Sequence, residues 1–129
     1  MSFTMEPVAE MNAILAIWNA DFSYTDEADA YENALAEQLD AMTSKTYVII
    51  DMTDSKMTFN DIMYGIQRGS RQTSKTANHP NVEQFIVISN SRTIQMSAAG
   101  LEKIGLENLK VKVVASLDEA RHHILERVS

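Results

Sequence analysis

A short apolar run that ends in an aspartate and leads into a helix start constrains this chain most. The run covers residues 47–51, and the helix start is Thr58-Phe59-Asn60-Asp61. A continuous apolar run of this length is typical of a strand that helices cover on both faces. The junction therefore predicts an open α/β sheet with a candidate functional edge at the helix start.

Further apolar runs alternate with segments of helical period. Residues 83–89 and 109–115 are predicted to be strands, and residues 58–73 a helix. Ser91 or Asn90 can cap another helix, which Gly105 would end. This alternation of strands and helices indicates a mostly parallel sheet with helices packed on it.

The first part of the chain is predicted to hold a hairpin and an acidic helix. Residues 3–8 and 11–22 would be the two strands, and Pro7 restricts the first of them to an edge of the sheet. Apolar residues at steps of three and four then predict a helix over residues 24–42. Its inward stripe would be Tyr24, Ala28, Tyr31, Leu35, Leu39 and Met42, and its acids would lie elsewhere: Asp26, Glu27, Asp29, Glu32, Glu37 and Asp40.

The last helix is predicted from a capping box. Ser116-Leu117-Asp118-Glu119 has the spacing in which a serine and a glutamate satisfy free N–H groups at a helix start. The inward positions of this helix would be Leu117, Ala120, Ile124 and Val128.

Length and composition indicate one ordinary globular domain. The 129 residues are 45% hydrophobic and 22% charged, which argues against disorder. We therefore expect a single α/β domain over residues 1–129, with a central mixed, mostly parallel sheet of four or five strands flanked by about four helices. Neither a signal sequence nor an apolar run of roughly 20 residues is present, so we expect a cytoplasmic protein that is not inserted in a membrane. The absence of cysteine excludes disulfides and thiolate catalysis.

The negative charge belongs to one part of the chain. Residues 1–45 hold nine acids and one base, whereas residues 46–129 hold nine acids and ten bases. Nucleic acids and anionic membranes are bound mainly through Lys and Arg, so an acidic surface disfavours both as partners.

The order of hairpin, strand, helix and repeated strand-helix units resembles the STAS family of anti-anti-sigma-factor-like domains. Ile50-Asp51-Met52-Thr53 is similar to the family's strand end, and residues 59–65 occupy the position of its phosphoacceptor motif. Asp61 stands where the family has the phosphorylated Ser or Thr. The chain from residue 47 onwards also resembles bacterial STAS/SEC14-like proteins of unassigned function, including His79-Pro80-Asn81 before a strand.

The resemblance implies a noncatalytic regulatory module that binds another protein. In that interpretation Asp61 is a fixed negative charge in the place of a switchable phosphate. The partner-binding residues would be Thr58, Asn60 and Asp61, flanked by Met57 and Met63. The plainer alternatives are that Thr58 caps the helix, that Asp61 favours its dipole, and that the methionines fill the core.

A basic cluster lies near the end of the helix predicted at residues 58–73. Arg68, Arg71 and Lys75 can simply favour the negative end of the helix dipole. Alternatively, they form a patch that docks an anionic partner, such as the acidic first helix of a second copy, which would make the chain a homo-oligomer.

Other classes of site find little support in the sequence. His122 and His123 point about 100° apart on a helix and cannot readily chelate one ion together. Glu119 with His123, or His122 with Glu126, has helical ligand spacing, which is more often a surface hydrogen bond. The four glycines fit no nucleotide-binding loop. We therefore expect that the protein holds no metal or cofactor and is not an enzyme. The first alternative to a protein-binding module is a module that binds a small apolar or lipid-like ligand. The second alternative is an enzyme without a recognisable motif.

Overall fold

The computed structural model describes residues 2–55, 61, 79–92, 96 and 111–128. Five strands form one sheet, in the order β1-β2-β3-β4-β5. The strands are β1 (Phe3–Val8), β2 (Ala13–Trp18), β3 (Thr46–Asp51), β4 (Val82–Ile88) and β5 (Val111–Val114), and the helices are α1 (Tyr24–Asp40) and α2 (Leu117–Val128). The described part of the chain is thus an α/β structure with one five-stranded sheet.

The sheet is mixed, as predicted. β1 pairs with β2 antiparallel, and β2, β3, β4 and β5 pair in parallel. The second strand is shorter than the predicted 11–22. Met11 closes a 3₁₀ turn over Ala9–Met11, and Asn12 adopts a left-handed backbone with φ of 50°. Asn tolerates this conformation better than most residues, so the hairpin turns there and the strand begins at Ala13.

β1 lies at one edge of the sheet. The N–H of Asn19 donates to the carbonyl of Ser2, which sets the alternation of hydrogen-bonded pairs in the hairpin. Pro7 stands opposite Ile14 in a pair without ladder hydrogen bonds, so its missing N–H falls on the open side of the strand. The prediction that Pro7 belongs to an edge strand is confirmed.

Side chains of the strands alternate between two covered faces. The face under α1, called the α1 face, is rich in aromatic residues and comprises Phe3, Ile14, Ala16, Trp18, Phe22, Tyr31, Leu35, Leu39, Val48, Ile50, Val82 and Phe85. The face under α2, called the α2 face, comprises Met11, Ala13, Tyr47, Ile49, Ile86, Ile88, Val114, Ala120 and Ile124. Because Val48 and Ile49 are both fully buried, the central strand is covered on both sides, as its continuous apolar run predicted.

For two helix residues, the prediction of whether the side chain is buried or exposed is wrong. Glu32 is only 2% exposed, although the helical pattern predicts it outside the inward stripe of α1. It lies one turn from both Ala28 and Leu35, so the core side of the helix is wider than the predicted stripe. Leu117 is 42% exposed, because it is the first residue of α2 and precedes the turns that bury Ala120 and Ile124.

The described residues contain two helices, compared with the four or so that were predicted. The helix predicted at 58–73 and the one that would end at Gly105 lie mostly outside the described residues. Asp61, Arg92 and Met96 have helical backbone. In the part of the chain described, no helix has the length and hydropathy needed to cross a membrane.

Candidate functional site

The carboxyl ends of β3, β4 and β5 lie side by side at one edge of the sheet. The register places Asp51 beside Ile88, and Ile88 beside Val114. The residues that follow these strands, 51–55, 89–92 and 115–119, are called the carboxyl edge. In open α/β sheets ligands bind outside this end of the strands, so the carboxyl edge is where a site is sought first.

The chain leaves β3 through a turn that hydrogen bonds fix at three points. The carboxylate Oδ1 of Asp51 accepts a hydrogen bond from the N–H of Thr53 at 2.9 Å. The N–H of Met52 donates to the carbonyl of Ile88 at 3.0 Å, and the N–H of Ser55 donates to the carbonyl of Met52 at 3.0 Å. The side chain of Met52 packs against the α1 face. Hydrogen bonds therefore fix the backbone from Asp51 to Ser55, on the way to the predicted helix start. Thr53 and Asp54 are exposed on this turn.

After β4 and β5, serine hydroxyls accept hydrogen bonds from nearby backbone N–H groups, as the carboxylate of Asp51 does after β3. Ser89 is 2% exposed, and its Oγ accepts the N–H of Ser91 at 3.0 Å. At the start of α2, the Oγ of Ser116 accepts the N–H of Glu119 at 3.2 Å. Glu119 Oε2 in turn accepts the N–H of Ala115 at 2.8 Å. The predicted capping box is confirmed, except that the glutamate reaches the residue before the cap.

Of the predicted site residues, the structure describes Asp61. Asp61 has helical backbone and is half-buried. The other partner-binding candidates and the basic cluster lie outside the described residues: Thr58, Asn60, Met57, Met63, Arg68, Arg71 and Lys75. Their proposed roles stay predictions.

The described carboxyl edge offers carboxylates and hydroxyls. Asp51 is already engaged by the backbone of its own turn, whereas Asp54 is exposed. Across the ranges that the structure covers, no three acidic or histidine side chains are grouped so that they could hold a metal ion. The arrangement that is described suits polar contact with another surface, through exposed groups on turns whose backbone is fixed.

Sequence reasoning missed a polar network at the other end of the parallel strands. Asn81 donates from Nδ2 to the carbonyl of Leu39 at 2.9 Å and to that of Met42 at 3.3 Å. Its own carbonyl accepts the N–H of Thr46 at 2.6 Å. Asn81 thus satisfies carbonyls at the end of α1 and joins them to the start of β3. The signal in the sequence was His79-Pro80-Asn81, which indicated a turn but not these distant partners.

Two more pairs of side chains complete this network. His79 Nε2 lies 2.8 Å from Asp40 Oδ1, and His79 Nδ1 accepts the N–H of Asn81 at 3.0 Å. Asn12 Nδ2 donates to Ser44 Oγ at 3.3 Å. We call this group of residues the amino edge: Asn12, Asp40, Ser44, His79 and Asn81. Its hydrogen bonds join the hairpin turn, the end of α1 and the starts of β3 and β4.

The start of α1 is tied to the first residues of the chain through Glu27. The hydroxyl of Ser2 donates to Glu27 Oε1, and the N–H of Ser23 donates to Glu27 Oε2 at 2.8 Å. The Ser2 hydrogen bond, followed by the Ser23 backbone hydrogen bond, lowers the pKa of the Glu27 carboxyl below its ordinary value. The charged form is the one that these donors stabilise.

The three histidines do not converge. His122 Nε2 lies 3.0 Å from Glu126 Oε1 in an exposed pair one helical turn apart. His123 Nε2 donates to Gln84 Oε1 at 2.8 Å across the interface between α2 and β4. The first of these contacts is the surface pair that helical spacing predicted, whereas the pair of Glu119 with His123 is replaced by the contact with Gln84.

Comparison of the chain with protein-family models, with curated proteins and with solved structures yields no significant match.

Proposed function

We propose that the protein is a noncatalytic regulatory module that binds another protein at the carboxyl edge, through the helix start that contains Asp61. The observation that carries this proposal is the half-buried Asp61, whose backbone is helical, six residues beyond the fixed turn at Ser55. A permanent carboxylate at that point would take the place of a phosphate, with about one charge instead of about −1.5 to −2.

A STAS-like fold is part of the proposal. Three features support it: the antiparallel hairpin of β1 and β2 at one edge, the parallel pairing of β2 to β5 in sequential order, and the helical backbone at Asp61, Arg92 and Met96. A full STAS-like arrangement would include about four helices. The cytoplasm is the compartment in which we expect it to act.

The remaining predicted residues have defined roles in the proposal. Thr58 and Asn60 would contact the partner beside Asp61, and Met57 and Met63 would provide an adaptable apolar rim. Arg68, Arg71 and Lys75 would attract an anionic partner, including the acidic α1 of a second copy. Such long-range attraction raises association rates more than it raises affinity.

The experiment is a comparison of captured proteins. Wild type, Asp61→Asn and Glu37→Gln are immobilised separately and incubated with extract of the native host, and bound proteins are quantified by mass spectrometry. Glu37 is an exposed acid on α1 and is the matched control for loss of one charge. We expect a protein that wild type and Glu37→Gln enrich equally and Asp61→Asn enriches less.

Two outcomes would count against the proposal. Equal enrichment of every protein by all three variants would leave Asp61 with a helix-dipole role only. An apolar small molecule that stays bound in native mass spectrometry of the purified protein, without any enriched protein, would favour the ligand-binding alternative instead.

A further inference from the structure

His79 has two hydrogen-bonding partners with opposite requirements. The backbone N–H of Asn81 can only donate, so His79 Nδ1 must accept and carries no proton in this arrangement. The carboxylate of Asp40 can only accept, so the proton of the neutral ring is on Nε2. The geometry therefore specifies a neutral ring in the Nε2–H tautomer.

From this geometry we propose that His79 is a pH-sensitive latch between α1 and β4. Protonation of its ring opposes the hydrogen bond from Asn81 and thereby loosens the cap that Asn81 places on the end of α1. This inference is independent of the proposed function, because it concerns the amino edge.

Protonation of the His79 ring turns the acceptor Nδ1 into a donor that faces another donor, the N–H of Asn81. A proton on Nδ1 would face the N–H of Asn81, which is half-buried and would lose its acceptor. A polar group left without its partner in such a place costs more than the partner's net contribution. The ring itself is 10% exposed, so its charge would also be removed largely from water.

The opposing effect is the attraction between a charged ring and Asp40. Asp40 is 73% exposed, and ion pairs with such exposure contribute little in water. Among the described residues, the ion pair of the ring is with this carboxylate of α1, and its other hydrogen bond comes from the backbone N–H of Asn81 in the turn of residues 79–82. The loss at Asn81 therefore outweighs the gain at Asp40.

The effect of protonation spreads through Asn81 to two other elements. Asn81 Nδ2 binds the carbonyls of Leu39 and Met42, and the carbonyl of Asn81 accepts the N–H of fully buried Thr46. Displacement of Asn81 would weaken all three hydrogen bonds together. We expect local opening at the end of α1 and the start of β3 before the rest of the sheet is affected.

The test compares urea unfolding midpoints at a pH of about 7.5 and about 5.5, the range in which histidine changes charge. His79→Asn places a side-chain oxygen where Nδ1 lies, and this oxygen can accept the N–H two residues on without ionising. Asp40→Asn keeps an acceptor but removes the countercharge. On acidification we expect the largest fall in midpoint for Asp40→Asn, a smaller fall for wild type and the smallest for His79→Asn. Equal falls in wild type and His79→Asn would overturn the proposal.

Nuclear magnetic resonance of the wild type decides the question if a variant fails to fold. Ring nitrogen shifts of His79 should report the Nε2–H tautomer at the higher pH. The amide signals of Asn81 and Thr46 should then follow the titration of the His79 ring, and their protection from exchange, corrected for the intrinsic exchange rate at each pH, should fall at the lower pH. An Nδ1–H tautomer, or amides that do not respond to the titration, would contradict the latch.

Discussion

The two ends of the parallel strands use their polar side chains differently. At the amino edge, the side-chain hydrogen bonds between elements join residues 32 to 42 positions apart, from Asn12 with Ser44 to Asn81 with Leu39, beside one local bond from the N–H of Asn81 to His79. At the carboxyl edge, Asp51, Ser89 and Glu119 hydrogen bond to backbone groups two to four residues away. The amino edge holds separate elements together, whereas the carboxyl edge shapes its own turns. Substitutions at the carboxyl edge should therefore affect binding more than folding.

A core substitution gives the largest expected loss of unfolding free energy, against which the two edges can be compared. Leu35 is fully buried at the centre of the α1 stripe, so Leu35→Ala should lower the free energy of unfolding by about 2–5 kcal/mol. Glu37→Ala, two residues on and exposed, should change it by less than about 0.5 kcal/mol. Urea unfolding followed through the single Trp18, which is buried on the same face, measures both. Equal effects of the two substitutions would contradict the orientation of α1.

The next largest effect should come from the amino edge. Asn81→Ala removes two side-chain donors from the end of α1 and should cost about 1–3 kcal/mol of unfolding free energy. Asn90→Ala is the matched control at the carboxyl edge, because Asn90 is exposed. Thermal and urea unfolding of the two variants should separate clearly. If Asn90→Ala were as costly as Asn81→Ala, the contrast between the edges would be lost.

A smaller effect is expected within the carboxyl edge. Asp51→Ala removes the acceptor for the N–H of Thr53 and should cost about 0.5–1.5 kcal/mol, while Asp51→Asn keeps an acceptor oxygen and should cost less. Both values come from urea unfolding at neutral pH. A loss for Asp51→Ala larger than that for Asn81→Ala would show that this turn holds the sheet as firmly as the amino edge does.

The smallest effect is a change in acid sensitivity at the start of α1. The pKa of Glu27 is lowered from 4.5 in the folded protein, so its stabilisation is present above that value and is lost as the pH falls through the lowered pKa. Ser2→Ala removes the largest cause of the lowering and should reduce the loss of stability below a pH of about 4.5. Unfolding midpoints at neutral and acidic pH measure the difference. Identical acid sensitivity in the two proteins would exclude this role for Ser2.

The sequence predicted the sheet better than the contacts between its elements. The segments at 47–51, 83–89 and 109–115 match β3, β4 and β5 within two residues at each end, because the continuous apolar cores of the first two and the valines of the third are typical of strands. The strand predicted over residues 11–22 is longer than β2, which covers Ala13–Trp18. It includes the left-handed Asn12 and also Phe22, which is buried against Trp18 and Tyr31 after the strand has ended.

The candidate site was predictable only in outline. The turn at Asp51 follows from a strand end, and the helical backbone at Asp61 agrees with the predicted helix. The amino edge was not predictable, because Asn81 and His79 find their partners about 40 positions earlier in the chain. Local patterns show that a turn is present, but they do not show which distant carbonyls its side chains reach.

The most direct test of the proposed function is a binding titration with the protein that Asp61→Asn enriches less than wild type does. Affinities of wild type, Asp61→Asn and Glu37→Gln are measured with thermal melts on the same samples. We predict that all three proteins fold, with only a small fall in the melting temperature of Asp61→Asn, an unchanged affinity for Glu37→Gln and an affinity about tenfold lower for Asp61→Asn, which corresponds to about 1.4 kcal/mol. Equal affinity of all three proteins would contradict a binding role for Asp61.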